Sequence, residues 1–200
     1  MFDDLADRGW AQSHDHDASL LAPEWTGDLA RKCQSLYDAG SFTPSAVGHG
    51  KTKSVQTQIR GDSTLWLEDL QEESLKNEIS GFLQVLQQEL NQALFLGLKR
   101  FESHFALYPA GSGYEKHIDN HQGLNHRRIT FVLYLNENWQ QTDGGELSLF
   151  SQTLPDNKIH SIQPVLGNLI LFRSELFPHQ VEASLQTRKS LTGWFRDDAL

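Results

Sequence analysis

A single cysteine, Cys33, rules out an internal disulfide, so a reducing, cytoplasmic setting is expected. No apolar run approaches the roughly 18 residues a membrane helix needs, and no membrane association is expected. Basic charge is in deficit. Against 26 aspartates and glutamates stand 17 lysines and arginines, a formal charge of −9. Such a chain repels a phosphate backbone on average, which argues against general nucleic-acid binding. The first thirty residues carry Asp3, Asp4, Asp7, Asp15 and Asp17 and no apolar stretch of the leader type, so no secretory signal is expected. Repeats, low-complexity tracts and linkers are absent too, which predicts one domain over residues 1–200. Histidine, by contrast, is plentiful at nine residues, and the question is whether the nine are organised.

Residues 1–25 read as acidic, irregular and peripheral, with Trp10, Leu20 and Leu21 as their sizeable anchors. Leu29, Cys33, Leu36 and Tyr37 recur at helical spacing and Gly40 supplies a stop, predicting a helix over 28–39 with Cys33 on its core face. Residues 41–57 are rich in Gly, Ser, Thr and Lys and read as a loop. A strand end is expected at Leu65-Trp66-Leu67. Leu75, Ile79, Phe82, Leu83, Leu86, Leu90 and Leu94 then share one face of a long helix. Beyond Lys99 the pattern changes to short apolar or alternating runs at 101–108, 128–136, 146–150, 159–163, 168–173 and 190–196, punctuated by Gly, Pro and Asn. The expected fold is α+β, mainly β: a jelly-roll half buttressed by N-terminal helices.

Only one histidine is followed two residues later by a carboxylate, in His117-Ile118-Asp119. Residues i and i+2 of an extended chain point the same way, so both can face one metal. Downstream, His179 follows an apolar strand and the turn-like Phe177-Pro178, whereas His160 lies inside an alternating run. His117, Asp119 and His179 therefore form a candidate two-histidine, one-carboxylate triad, a donor set that suits non-haem Fe(II). Arg188 opens a run in which Arg188, Ser190, Thr192 and Trp194 share a face. A guanidinium inside a barrel needs an anion. A dicarboxylate ligand held bidentately would supply it, and the competing reading is an ion pair with an Asp or Glu of the chain.

Several motifs are discounted as metal sites. His14-Asp15-His16-Asp17 lies in the acidic terminus, and His121 and His126 read as surface or substrate-rim residues. Arg60-Gly61-Asp62 reads as a turn held by an Arg–Asp pair, and His126-Arg127-Arg128 as a basic cluster meeting solvent or an acidic partner loop.

Taken in order, Ile59-Arg60-Gly61-Asp62 with Trp66 and Glu68, Tyr108-Pro109 with Gly113-Tyr114, and His117-Ile118-Asp119-Asn120 make a pattern. It continues through Tyr134-Leu135-Asn136 with Trp139, Gly144-Gly145 with Leu147 and Phe150, and Pro178-His179. Over about residues 55–197 it resembles the Fe(II)/2-oxoglutarate-dependent dioxygenases, and within them the prolyl 4-hydroxylases of the hypoxia-inducible-factor type and their bacterial relatives. The resemblance implies a double-stranded β-helix (cupin-like) core at about 99–197. It implies iron on His117, Asp119 and His179, with Arg188 on the distal carboxylate of 2-oxoglutarate. Tyr108, Tyr134, Ser190, Thr192 and Trp194 would surround that co-substrate, and Arg60, Asp62, Tyr114, Arg127 and Trp194 would face the substrate. The implied reaction uses Fe(II), 2-oxoglutarate and O2, with ascorbate as reductant, to hydroxylate C4 of a prolyl residue in an exposed loop of a protein. A translation elongation factor is the expected partner, and the 41–57 loop a lid that grips through Lys51 and Lys53. The competing readings are a same-fold oxygenase acting on a small molecule or nucleic acid, and a jelly-roll binding module without turnover.

Overall fold

A computed structural model describes residues 1–13, 23–46, 54–119, 126–154 and 156–199. In chain order these form α1 (Phe2–Arg8), β1 (Trp10–Gln12), α2 (Pro23–Asp38), β2 (Thr43–Pro44), β3 (Ser63–Trp66) and α3 (Glu73–Leu94). There follow β4 (Arg100–Tyr108), β5 (Tyr114–His117), β6 (Arg127–Tyr134), β7 (Leu147–Phe150), β8 (Lys158–Ile162), β9 (Leu169–Arg173), β10 (His179–Val181) and β11 (Arg188–Arg196). The strands make two antiparallel sheets. One has seven strands in the order β1-β9-β6-β11-β4-β3-β2 and the other four in the order β5-β10-β7-β8. This is a mainly β sandwich of the jelly-roll kind.

Both faces of the large sheet are buried at its centre, which is why β6, β9 and the second half of β4 read as near-continuous apolar runs. On β6, Ile129, Phe131 and Leu133 join Phe105, Leu171, Leu191 and Phe195 against the helices. The alternate residues Val132 and Tyr134 face the small sheet together with Ala106, Tyr108, Ile170 and Phe172. From α3 come Leu75, Ile79, Leu83, Leu86 and Leu90, all buried, as its apolar spacing predicts. Helix α2 begins a turn earlier than its apolar spacing suggests. Pro23 sits in its first turn, where a missing N–H costs nothing, and Trp25 packs on Phe82 with ring centroids 4.9 Å apart. Cys33 is fully buried in this outer core, and burial pushes its thiol up to about 12, so the group is inert.

The expectation of an irregular, peripheral terminus needs correction for residues 2–12. Leu5 is fully buried in the outer core, and β1 pairs in register with β9 through Trp10↔Phe172, Ala11↔Leu171 and Gln12↔Ile170. Seven helical and three strand residues are too few for a visible period, and tertiary contacts hold them. The His14–Asp17 motif, His49, His121, and the central part of the proposed lid with Lys51 and Lys53 lie outside the described residues.

Candidate metal centre and ligand cavity

The small sheet builds the metal face. In the β10–β5 pairing, His179 stands directly opposite His117, and neighbouring side chains at such a pair are about 5 Å apart. Asp119 follows just past the end of β5. His117 Nε2 lies 3.7 Å from Asp119 Oδ1 and His179 Nε2 3.6 Å from Asp119 Oδ2. The donor atoms of all three residues fall within 4.8 Å of one another. The second such group among the described residues, His126 with Asp197 and Asp198, is built of side chains already paired with arginines or with each other.

Hydrogen bonds orient the three donors. His117 Nδ1–H donates to the Glu115 carbonyl at 2.8 Å, and His179 Nδ1–H to the Phe177 carbonyl at 3.0 Å. A carbonyl can only accept, so each Nδ1 carries the proton and each Nε2 lone pair is left to face the site. Thr130 Oγ1 donates to Asp119 Oδ2 at 2.7 Å and itself contacts Ser174 Oγ at 2.8 Å. The Trp194 indole N–H points towards Asp119 without reaching hydrogen-bond geometry. Burial, with the neighbouring His179, pushes His117 down to about 3 against the opposing pull of Asp119. Burial alone would raise Asp119, but the two histidines and the donors around it outweigh that and hold it down at about 2. At neutral pH His117 is therefore a neutral imidazole and Asp119 a carboxylate, the form a divalent cation requires of each.

A cavity of about 450 Å³ opens onto these residues. Arg188, at the start of β11, contributes its buried end and is only 2 % exposed. Its Nε donates to the Gly145 carbonyl at 2.9 Å, and the guanidinium sits 5.4 Å from the Tyr108 ring and 5.0 Å from the Tyr134 ring. Among the described residues no carboxylate lies within ion-pair distance of Arg188, so the structural ion-pair reading has no partner. A buried cation without an anion is costly, and this one faces an open cavity.

The structure brings most of the sequence-derived site residues to this cavity. Ser190, Thr192 and Trp194 line it from β11 and Tyr108 from β4, while Arg60, Tyr114 and Arg127 form a half-buried rim with Asp62 buried beneath Arg60. Thr192 spends its hydroxyl on the Phe131 carbonyl. Tyr134 does not line the cavity; it is fully buried behind Arg188, its hydroxyl makes no hydrogen bond of normal geometry among the described residues, and burial pushes its phenol up to about 12. Arg60 and Asp62 form the expected bidentate pair, at 2.7 and 2.9 Å. The basic cluster is corrected, because its acids come from the chain itself. Arg127 pairs with Glu102 and lies over the Trp194 ring, and His126 and Arg128 pair with Asp197. Two residues missed in the sequence belong here. Thr130 holds Asp119. His104 lies on the cavity wall between Trp66 and Trp194, with ring centroids at 4.5 and 5.6 Å. Period-two counting from Tyr108 and Val132 reaches both.

An antiparallel β sandwich that sets two histidines and one carboxylate at the mouth of a cavity ending in an unpaired arginine defines a metal-dependent oxygenase. Residues 103–196 match the 2OG-Fe(II) oxygenase superfamily. The human prolyl hydroxylase EGLN3 is 30 % identical over 188 residues, spanning 87 % of this chain and 74 % of that protein. A Pseudomonas putida prolyl-4-hydroxylase crystal structure shares 40 % identity with a TM-score of 0.81, covering 98 % of this chain and 96 % of that one. A Trichoplax adhaerens prolyl hydroxylase structure shares 27 % identity with a TM-score of 0.79, covering 98 % of this chain and 87 % of that one. The chain spans about half the length of the Egl nine homolog 1 proteins of human, rat and mouse that it also matches. It belongs to the 2OG-Fe(II) oxygenase superfamily, among the dioxygenases of prolyl hydroxylase type.

Proposed function

We propose that the protein hydroxylates C4 of a prolyl residue in an exposed loop of a protein substrate, using Fe(II), 2-oxoglutarate and O2. In this reading residues 1–200 act as one domain, with a double-stranded β-helix at about 99–197, and work in the cytoplasm. The observation that carries it is the conjunction at one cavity: a His–Asp–His donor set, and a buried Arg188 that meets no acid among the described residues. The donor set fits Fe(II), and the arginine fits the far carboxylate of a 2-oxoglutarate whose other end reaches the metal. When bound, iron and 2-oxoglutarate together activate O2, giving succinate and CO2 as the substrate carbon is hydroxylated.

The chain's own residues do the rest. His117, Asp119 and His179 would hold the metal, beside a cavity that Arg188 also lines. Arg188 orients the co-substrate, with Tyr134 behind it and Tyr108, Ser190, Thr192 and Trp194 on the walls. The rim of Arg60, Asp62, Tyr114, Arg127 and Trp194 receives the substrate segment. The Trichoplax relative is described in complex with a hypoxia-inducible-factor peptide fragment, which supports a peptide loop as the substrate class. The specific partner we propose is a translation elongation factor.

Purified protein with Fe(II), ascorbate and 2-oxoglutarate should form succinate. His117→Ala and His179→Ala should abolish this and lower Fe(II) stoichiometry, with His160→Ala near wild type. No succinate from metal-loaded protein with any prolyl peptide would favour a binding module instead. Mass spectrometry of cell proteins with and without the active enzyme should show +16 on a proline of the elongation factor. The modification on a different protein, or on a nucleic acid, would overturn the partner.

A further inference from the structure

The N-terminal arm runs against the β9–β10 connection that leads to His179. Gly9 closes α1 in the left-handed conformation, with φ of +81°, and turns the chain into β1. Its carbonyl accepts the Arg173 N–H at 3.0 Å, which pins the start of the connection from β9 to β10. The bare Cα of Gly9 faces that same connection. A Cβ there would stand 3.0 Å from Phe177 Cε2, 3.1 Å from Cζ and 3.5 Å from Leu176 Cδ1. Phe177 is buried, and its carbonyl is the group that fixes His179 Nδ1. The next residue, Trp10, pairs across the sheet with Phe172, which meets the His179 ring edge-on at 4.9 Å. Trp10 also stacks on His160 of the small sheet, at 4.1 Å, and His160 pairs with Leu149, itself the cross-strand partner of His179.

We propose that Gly9 and Trp10 are positioning residues for the metal centre: the arm braces the Phe177 carbonyl and the Phe172 ring, the two groups that set the orientation of His179. This rests on His179 being a metal ligand. It gives the first dozen residues a task at the site although none of them reaches the cavity. Neither side of the contact can yield cheaply. The Phe177 ring is enclosed, and the backbone of Gly9 is tied to β9.

The test uses the full chain and two readouts besides turnover: the imidazole nitrogen NMR shifts of His179 in metal-free protein, and Mn(II) affinity. Wild type should show one His179 tautomer, protonated at Nδ1. Gly9→Ala should mix the tautomers and weaken Mn(II) binding about 10- to 100-fold, the usual loss when a group orienting a ligand is disturbed. Gly40→Ala is the control. Gly40 has the same kind of backbone, φ +76°, after a helix, but a Cβ there meets nothing within 4 Å. It should lose comparable stability and keep both wild-type readouts. Should Gly9→Ala not fold, Trp10→Phe should move both readouts in the same direction by less. Wild-type values in the folded arm variant, or equal changes in Gly40→Ala, would overturn the proposal. His179→Ala separates the underlying reading. If it binds Mn(II) like wild type, the metal assignment fails, whereas loss there with retention in Gly9→Ala sinks only the brace.

Discussion

Arg188 is a buried cation with no acid partner among the described residues. Its guanidinium is buried, donates to one backbone carbonyl, and faces two tyrosine rings instead of an acid. Its removal therefore breaks no ion pair, and Arg188→Met should leave the metal-free protein close to wild-type stability in denaturant. With co-substrate the outcome differs. Losing a charge-assisted bidentate contact costs about 1.5–3 kcal/mol, roughly 10- to 150-fold in apparent 2-oxoglutarate affinity. Arg188→Lys should raise the 2-oxoglutarate requirement by an amount in that range and Arg188→Ala by more, with Mn(II) binding unchanged. Succinate formation against 2-oxoglutarate concentration checks this; wild-type curves for both would mean that the co-substrate lies elsewhere. Thr130 acts one step removed. Its hydroxyl donates to Asp119 Oδ2 at 2.7 Å, so Thr130→Val should keep the shape of the site and lose the hydrogen bond. Calorimetry should then show Mn(II) affinity down about 10- to 100-fold, while a change of less than twofold would show that the other contacts alone hold Asp119.

Among the elements, the large sheet separates two cores with separate duties. Its helix side holds α2 and α3, and its other side holds the cavity and the metal face. Leu83 of α3 is fully buried on the helix side. Leu83→Ala should cost about 2–5 kcal/mol, through lost transfer energy and the void left behind. Mn(II) affinity at temperatures where the variant is folded should stay at the wild-type value. Unfolding by urea measures the first and titration the second. A matching loss of metal affinity would mean that the sheet transmits strain between its faces.

At the scale of the whole molecule, acid should unfold the metal-free protein in a defined window. His104 is buried between Trp66 and Trp194, and burial, with Arg60 second, pushes it down to about 3; His117 is likewise held at about 3. In the unfolded chain each titrates near 6.5, so between about 6.5 and 3 the unfolded state binds more protons. Stability is therefore fully present above pH 6.5 and falls as the pH drops towards 3. The slope is up to about 1.4 kcal/mol per pH unit for each histidine. Below 3.8 the protonation of Asp119, held at about 2, removes more stability. His104→Phe should lessen the slope between pH 6 and 4 by the share of one proton. Urea titrations across that range test this, and an unchanged slope would place the proton uptake in other groups.

Local pattern specifies the long elements and most of the chemistry. The apolar period of 75–94 specifies α3, and two-sided burial writes β4, β6 and β9 as apolar runs that need no partner to be recognised. The spacing of His117 and Asp119, and the shared face of Arg188, Ser190, Thr192 and Trp194, were equally readable, because period-two geometry is local. Tertiary structure decided the rest. Four-residue β5 and three-residue β10 have no period to read, and only their register places His179 opposite His117. The short N-terminal helix has acids in its first turn and a glycine stop, but it and β1 are too short to show a period, and contacts with β9 and the outer core hold them. That Arg188 lacks an acid, that Arg127 finds Glu102, and that Gly9 backs onto Phe177 are facts of distance between residues far apart in the chain. Such facts arise only when sheets pair and cores close, since local sequence fixes which way a side chain points and leaves open what it meets.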